Sequence, residues 1–169
     1  AGTLDNVHVV FVGNAMSDLL PRATELGVAD HMTAMEELGV DPDDREFRIP
    51  STPLVELYKS ADACVFPSLI ETFAMINIEA MSAGIPVIST DAPGCIETIV
   101  DGVDGLIARA GDPIDLARKM EHLQSSADLQ AKLSAGGRES VRKSFSWDVV
   151  GRQFENLYFS LVDPVAPTP

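Results

Sequence analysis

Positive charge is scarce in this chain. Of 169 residues, 12 are lysine or arginine against 26 aspartate or glutamate, a formal charge of −14. The lysines are Lys59, Lys119, Lys132 and Lys143. Such a surface repels the phosphates of nucleic acid and of anionic membranes, so nucleic acid is not an expected partner. Long apolar runs are also missing, and with them any candidate bilayer-spanning helix. Cysteine is limited to Cys64 and Cys95, without metal-type spacing. A disulfide between them stays open, but a reduced, cytoplasmic setting is the expectation, with peripheral membrane attachment of a parent protein left open. Cys64 sits in an apolar run and reads as a buried thiol; Cys95 follows Gly94 in a loop and reads as an exposed one. Asp41-Pro42-Asp43-Asp44 reads as a solvated turn rather than a ligand string, so no metal site is expected. The opening Ala1-Gly2-Thr3-Leu4-Asp5 is neither a start methionine nor a signal peptide, and suggests a piece of a longer chain.

What is present is an alternation of strand-like and helix-like segments. Val7–Val12 is a β-rich run ending at Gly13, where the backbone admits close approach of a ligand. Gly13 stands alone, so this is not the dinucleotide fingerprint G-x-G-x-x-G. Helical spacing follows at Leu19, Leu20, Ala23 and Leu26, and again from Asp30 to Leu38. Glu46–Pro50 reads as a short strand. Ser51 or Thr52 caps a helix with Pro53 at its start and Glu56 in its first turn. Ala63–Phe66 and Val87–Thr90 read as strands, and a short helix is expected through Ile96 and Ile99. Asp101–Gly105 turns into strand Leu106–Ala108.

From Asp112 onward the pattern is helical: Asp112-Pro113 caps one helix, and Ala127–Phe145 forms another that weakens near Gly136-Gly137. Ser146 caps a last helix with Trp147, Val150, Phe154, Leu157, Tyr158 and Leu161 on its apolar face. Alternation of this kind means a Rossmann-like parallel sheet with helices on both faces, ending in a helical segment. The α/β domain is expected to span 1–162, with 163–169 as a Pro-rich tail.

The densest stretch runs from Pro67 to Ile88. Two carboxylates lie in its most apolar part, Glu71 at the strand-to-helix junction and Glu79 inside the helix. An ionised carboxylate among Phe73, Ile76, Ile78 and Met81 needs a partner. With Phe73 as first helical residue, the amides of Phe73, Ala74 and Met75 are free to face an anion. One ligand can then span Glu71, those amides and Glu79, in the order sugar, diphosphate, ribose. The alternative is an internal arginine for Glu79 and solvent for Glu71, and spacing alone does not choose.

The stretch Pro-Ser-Leu-Ile-Glu-Thr-Phe-Ala-Met-Ile-Asn-Ile-Glu-Ala-Met-Ser-Ala-Gly-Ile-Pro-Val-Ile (67–88) resembles the signature of glycosyltransferase family 4, retaining enzymes of the GT-B fold. Leu57-Tyr58-Lys59-Ser60-Ala61-Asp62, Asp91-Ala92-Pro93-Gly94-Cys95-Ile96-Glu97, Asp101–Leu106 and Phe145-Ser146-Trp147 fit the same register. The resemblance implies the C-terminal, donor-binding half of a GT-B fold, with a nucleotide-diphospho-sugar as substrate and no cofactor or metal. It places Glu79 on the ribose and Glu71, with Thr72, Phe73, Ala74 and Met75, on the sugar and diphosphate. Arg48 and Ile49, with Tyr58 as a further candidate, lie where the family's nucleobase pocket is lined; Gly94 and Glu97 lie near the phosphate end. Gly13, whose own backbone can admit a ligand closely, is counted with the donor site.

Two departures stand out. Family members usually carry glycine where Thr72 and Ala74 stand, and a methyl group there can crowd the ligand. The acceptor-binding N-terminal domain and the first strand–helix unit, with its basic residues, are absent, so the isolated chain is expected to be inactive. The second reading is a non-catalytic or split-enzyme module that takes its acceptor half from another chain. An unrelated nucleotide-binding doubly wound domain is a third. The apolar C-terminal helix is expected either to fold onto its own domain or to mediate a homodimer.

Overall fold

The computed structural model describes residues 6–13, 18–35 and 50–162. The chain divides into two compact units, residues 1–60 and 61–169.

In the first unit, β1 (Val9–Val12) pairs in parallel with β2 (Met32–Met35), Val9 opposite Met32 and Val12 opposite Met35. Between them lies α1 (Leu19–Glu25), closed by Gly27 at φ +69°. The helix expected from Asp30 is not formed over its described part. A 3-10 turn at Ala29–His31 leads straight into β2. Methionine and alanine favour helix intrinsically, but the unpaired groups along β1 give this segment a ladder instead. The rest of that predicted helix, Asp41–Asp44, the predicted strand at 46–49, and Arg48 and Ile49 lie outside the described residues. The next helix, α2 (Thr52–Ser60), follows Ser51, one of the two expected caps, whose carbonyl accepts the first bond, from Val55; Pro53 is thus its second residue rather than its first. Glu56 sits beyond the first turn, paired with Lys59 at 3.0 Å. Tyr58 is the buried side chain of α2.

The second unit is built on a parallel sheet ordered β3 (Cys64–Val65), β4 (Val87–Thr90), β5 (Leu106–Ala108). All four residues of β4 are buried. A strand hidden on both faces reads as continuous rather than alternating, and Val87-Ile88 does so. Between β3 and β4 lies α3 (Met75–Ala83), ended by Gly84 at φ 83° with its N–H on the carbonyls of Ala80 and Met81. A left-handed C-cap of this kind requires glycine.

After β5 come α4 (Pro113–Gln124) and α5 (Ala127–Ser140). The Asp112 carboxylate accepts from the amides of Ile114 and Asp115, each at 3.0 Å, and Ser126 Oγ accepts from Leu129 at 3.2 Å. Asp112 is thereby held below its ordinary range, first by the Asp115 amide. The core joins Ile88, Leu106, Leu123 and Leu133, with Val65, Leu116 and Met120 packed against it.

The α5 helix runs unbroken through Gly136 and Gly137. A Cβ at Gly136 would collide with the Val103 carbonyl, and one at Gly137 would lie 2.9 Å from Met81 Cγ. Each glycine costs about 1 kcal/mol of helix propensity, and the lost Cβ lets the helix meet the 103–104 backbone and Met81 closely. Asp104 reinforces this seam from its buried position, accepting from Ser140 Oγ at 2.6 Å and from the Val100 amide at 2.6 Å. The α-helix ends at Ser140, five residues short of the expected Phe145, and passes into a π-helical turn at Val141–Phe145. Then α6 (Trp147–Val162) runs to the end of the described chain with no buried residue. Ser146 precedes it as expected, but its hydroxyl donates back to the Arg142 carbonyl at 3.1 Å. Residues 163–169, the predicted tail, lie outside the described residues.

Candidate functional site

Parallel sheets present ligands with the carboxyl ends of their strands. At that end of the second unit two loops meet: residues 66–74, between β3 and α3, and residues 91–98, after β4. The ladder continues one step past β3, with the Phe66 amide on the Ile88 carbonyl at 2.8 Å. Thr90 Oγ1 then donates to the Ser68 carbonyl at 2.6 Å. Further out the loops are joined by backbone alone. The Glu71 amide donates to the Pro93 carbonyl at 3.1 Å, and the Ala74 amide to the Gly94 carbonyl at 3.3 Å. Gly94 is buried at φ +79°; a Cβ there would lie 2.6 Å from the Glu71 carbonyl carbon and 2.8 Å from that of Thr72. Gly94 is therefore a spacer between loops, and its place in the fold is fixed by contact with Glu71 and Thr72.

This junction shifts the start of α3. The helix begins at Met75 rather than Phe73, because the Ala74 amide is committed to Gly94 and Ala74 stands at the N-cap with ψ 76°. Of the three amides expected to face an anion, Ala74's is thus taken. Those of Phe73 and Met75 have no hydrogen-bond partner among the described residues. Glu71 is half-buried, and its own carboxylate accepts from the Thr72 amide at 3.3 Å. Glu79 is half-buried four residues past the helix start, about 6 Å along the axis.

The two glycine-position residues behave differently. Ala74 is 2% exposed and its methyl packs with Ala92 and Cys95, in a cluster bordered by Phe66 and Ala110. It fills core, not ligand space. Thr72 is exposed beside Glu71, so a ligand-side effect falls on it alone.

Cys95 is buried, not exposed, and both cysteines are free thiols. The loop expected to be helical through Ile96 and Ile99 is a series of turns, held by Cys95 on Ala92 and Thr98 on Cys95. Thr98 Oγ1 also donates to the Cys95 carbonyl at 2.9 Å, a local bond that competes with helix. Cys64 is pushed up from 9.0 to about 11, first by burial and then by the negative charge of Glu79. It stays protonated at neutral pH.

Asn77 escaped the sequence reading. It is fully buried in α3, and Nδ2 donates to Ser89 Oγ at 3.1 Å and Thr98 Oγ1 at 3.0 Å. One side chain thereby ties the helix of Glu79 to β4 and to the 91–98 turns. Its Oδ1 is buried with no partner among the described residues. A lone amide between Ile76 and Ile78 was the available signal. Arg109 was also passed over: it stands just past β5, pairs with Asp112 at 3.3 Å, and lines a cavity of about 170 Å³ with Pro67, Leu69, Thr90 and Leu116.

The structure thus brings Glu71, Thr72, Phe73, Ala74 and Met75 together with Gly94, and puts Glu79 on the helix that leads away from them. Glu97 is exposed on the turns that carry Gly94. Gly13 belongs to the first unit, where its amide donates to the Met35 carbonyl at 3.1 Å. No group of three metal-ligating side chains occurs among the described residues. No helix there is long and apolar enough to cross a membrane.

Residues 3–140 match the family model described as glycosyl transferases group 1. A D-inositol 3-phosphate glycosyltransferase from Corynebacterium kroppenstedtii is 29% identical over 154 residues, 90% of this chain and 33% of that protein. HepE from Anabaena, solved in complex with UDP, superposes with a TM-score of 0.78 at 19% identity over 92% of this chain and 42% of that one. The C-terminal domain of LpcC, a glycosyl transferase group 1 protein from Francisella tularensis, does so with a TM-score of 0.62 at 25% identity, over 78% of this chain and 62% of that one. The architecture is that of the C-terminal half of a GT-B glycosyltransferase. The chain spans about a third or less of the curated relatives it matches, for example 25% of one and 33% of another.

Proposed function

The chain belongs to the glycosyl transferases group 1 family, and from that premise we propose that it is the nucleotide-diphospho-sugar-binding part of a retaining hexosyltransferase. The observation that carries this reading is the loop–helix unit from Glu71 to Glu79. It holds a half-buried carboxylate at each end and the open amides of Phe73 and Met75 between them. In this reading the Glu79 carboxylate accepts two hydroxyl protons from the ribose. The diphosphate lies at the start of α3, where open amides and helix dipole favour an anion. Glu71 faces the sugar. Glu97 stands near the phosphate end.

Transfer with retained configuration needs the departing diphosphate stabilised as its charge grows. Main-chain amides supply part of that here. The diphosphate itself accepts the acceptor's proton on the same face, without metal or cofactor. Arg109 is paired with Asp112, and in this reading the rest of the stabilisation comes from another domain or chain. The acceptor and its binding half are likewise supplied outside this sequence, in the cytoplasm, and the isolated chain binds donor without turnover.

Calorimetric titration with UDP-, GDP- and ADP-sugars tests this. Binding of one of them, lost in Glu79→Ala, supports the reading. Full affinity in that variant removes Glu79 from the ribose, and turnover by the purified chain overturns the claim of dependence on another half. The apolar stripe of α6 favours a second reading, in which the partner is another copy of the same chain. Light scattering that finds only monomer at high concentration rules it out.

A further inference from the structure

The loop that carries Glu71 is held from two sides. On one side stand Pro93 and Gly94, through their carbonyls. On the other stands an aromatic ring. Phe145 lies with its centroid 6.1 Å from that of Phe73, at an interplanar angle of 65°. Edge-to-face pairs of this geometry favour one relative placement over others. Phe145 is half-buried, while Phe73 keeps 39% of its surface exposed.

The placement of Phe145 depends on an irregularity. It is the last residue of the π-helical turn Val141–Phe145, which follows α5 directly. Such a turn bonds i to i+5 and inserts a residue into the helical phase, a device that is frequent at functional sites. A continuous α-helix through 141–145 would carry residue 145 to another face of the axis. Upstream, α5 is anchored by the Ser140–Asp104 bond and by Gly136 against Val103. The π turn therefore projects Phe145 from a fixed base toward a loop that has little other packing: Leu69, Ile70, Thr72 and Phe73 are all exposed.

We propose that Phe145 is a positioning residue of the donor site, holding Phe73 and with it the open Phe73 and Met75 amides. The inference rests on the donor-binding reading for its purpose, but not for its geometry. Phe145 touches the loop, not the ligand. It sets how well the phosphate end of the site is preformed and leaves the ribose end, on Glu79, unaffected.

The test uses the whole chain with Phe145→Ala, Phe145→Leu and Phe145→Tyr. Hydrogen exchange is measured in peptides covering 70–76 and 87–90. In Phe145→Ala, exchange at 70–76 is expected to rise about two- to tenfold, the factor that loss of one aromatic pair represents. Phe145→Tyr restores protection, Phe145→Leu restores part of it, and 87–90 stays unchanged in all three. In parallel, affinity for UDP-glucose falls by the same factor in Phe145→Ala, whereas affinity for uridine does not. Unchanged exchange at 70–76 in a folded Phe145→Ala protein overturns the proposal, and so does an increase spread equally over 87–90. Equal losses for UDP-glucose and uridine overturn it as well. If the unmodified chain binds neither compound, the donor reading for that nucleotide fails, and the exchange data still decide whether Phe145 holds the loop.

Discussion

The α3–β4 region and α6 are both rich in apolar residues, yet they end in opposite environments. In the first, Ile78, Ala80, Met81, Val87 and Ile88 are each 8% exposed or less. In the second, Trp147, Phe154, Leu157, Tyr158 and Leu161 are all more than half exposed. The helical stripe of α6 is the more regular of the two in sequence. Periodicity thus reports that a helix has a face to cover, and says nothing of which chain covers it. The α3–β4 region has no stripe because β4 is buried along its whole length and α3 buries consecutive residues, Asn77-Ile78 and Ala80-Met81, while Met75 and Ile76 stay exposed.

That contrast can be broken or sharpened by substitution. Leu133, fully buried in the core against which β4 packs, is expected to lose about 2–5 kcal/mol of stability as Leu133→Ala. Chemical denaturation of the purified chain measures it. Gly94→Ala comes next, at about 2 kcal/mol, from left-handed backbone strain plus collision with the Glu71–Thr72 backbone. Its donor affinity should fall further than its stability, because the loop that carries Glu71 must move. Leu157→Ala on α6 should change stability by no more than about 0.5 kcal/mol. A loss as large as that of Leu133→Ala would show that α6 is covered in solution.

Two charge effects are smaller. Burial and the Glu79 charge raise the Cys64 thiol from 9.0 to about 11, so the folded state favours its protonated form. That contribution is whole below pH 9 and is lost as pH rises through about 11. Urea denaturation of Cys64→Ala should therefore show a shallower alkaline decline than the parent. Glu79→Gln should raise the rate of thiol modification only modestly, since burial is the larger cause. Glu139, hydrogen-bonded by Arg142 and Lys143, is held at about 2 instead of 4.5. Its contribution is present above 4.5 and lost as pH falls through about 2. Because the Glu139 side chain is 46% exposed and its charge screened by solvent, Glu139→Gln should produce only a slight change in acid unfolding.

Much of the second unit was legible in the sequence, for local reasons. Val87–Thr90 is a compact β-branched run closed by Asp91, and Asp112-Pro113 and Ser126 are helix starts that satisfy their own first-turn amides. What could not be read depended on contacts between distant residues. Met32–Met35 is a strand only because β1 lies beside it. The start of α3 is set by Gly94, twenty residues downstream of Ala74. Gly136-Gly137 looked like a weak point, and only the carbonyl of Val103 and the side chain of Met81 show why glycine stands there. For the site, Glu71 and Glu79 could be chosen by the cost of burying a carboxylate, but Asn77 and Phe145 act through partners that no spacing reveals.

The junction between the Glu71 and Gly94 loops has one more consequence. It consists of two main-chain hydrogen bonds and a missing side chain, with no charged group taking part. A strongly acidic protein thus holds the loop that carries Glu71 by means that ionic strength does not reach. Added salt should leave the shape of this loop unchanged and act instead on the approach of an anion through the surrounding negative field. Faster association at higher salt, with an unaltered loop, is the expected kinetic signature of that separation.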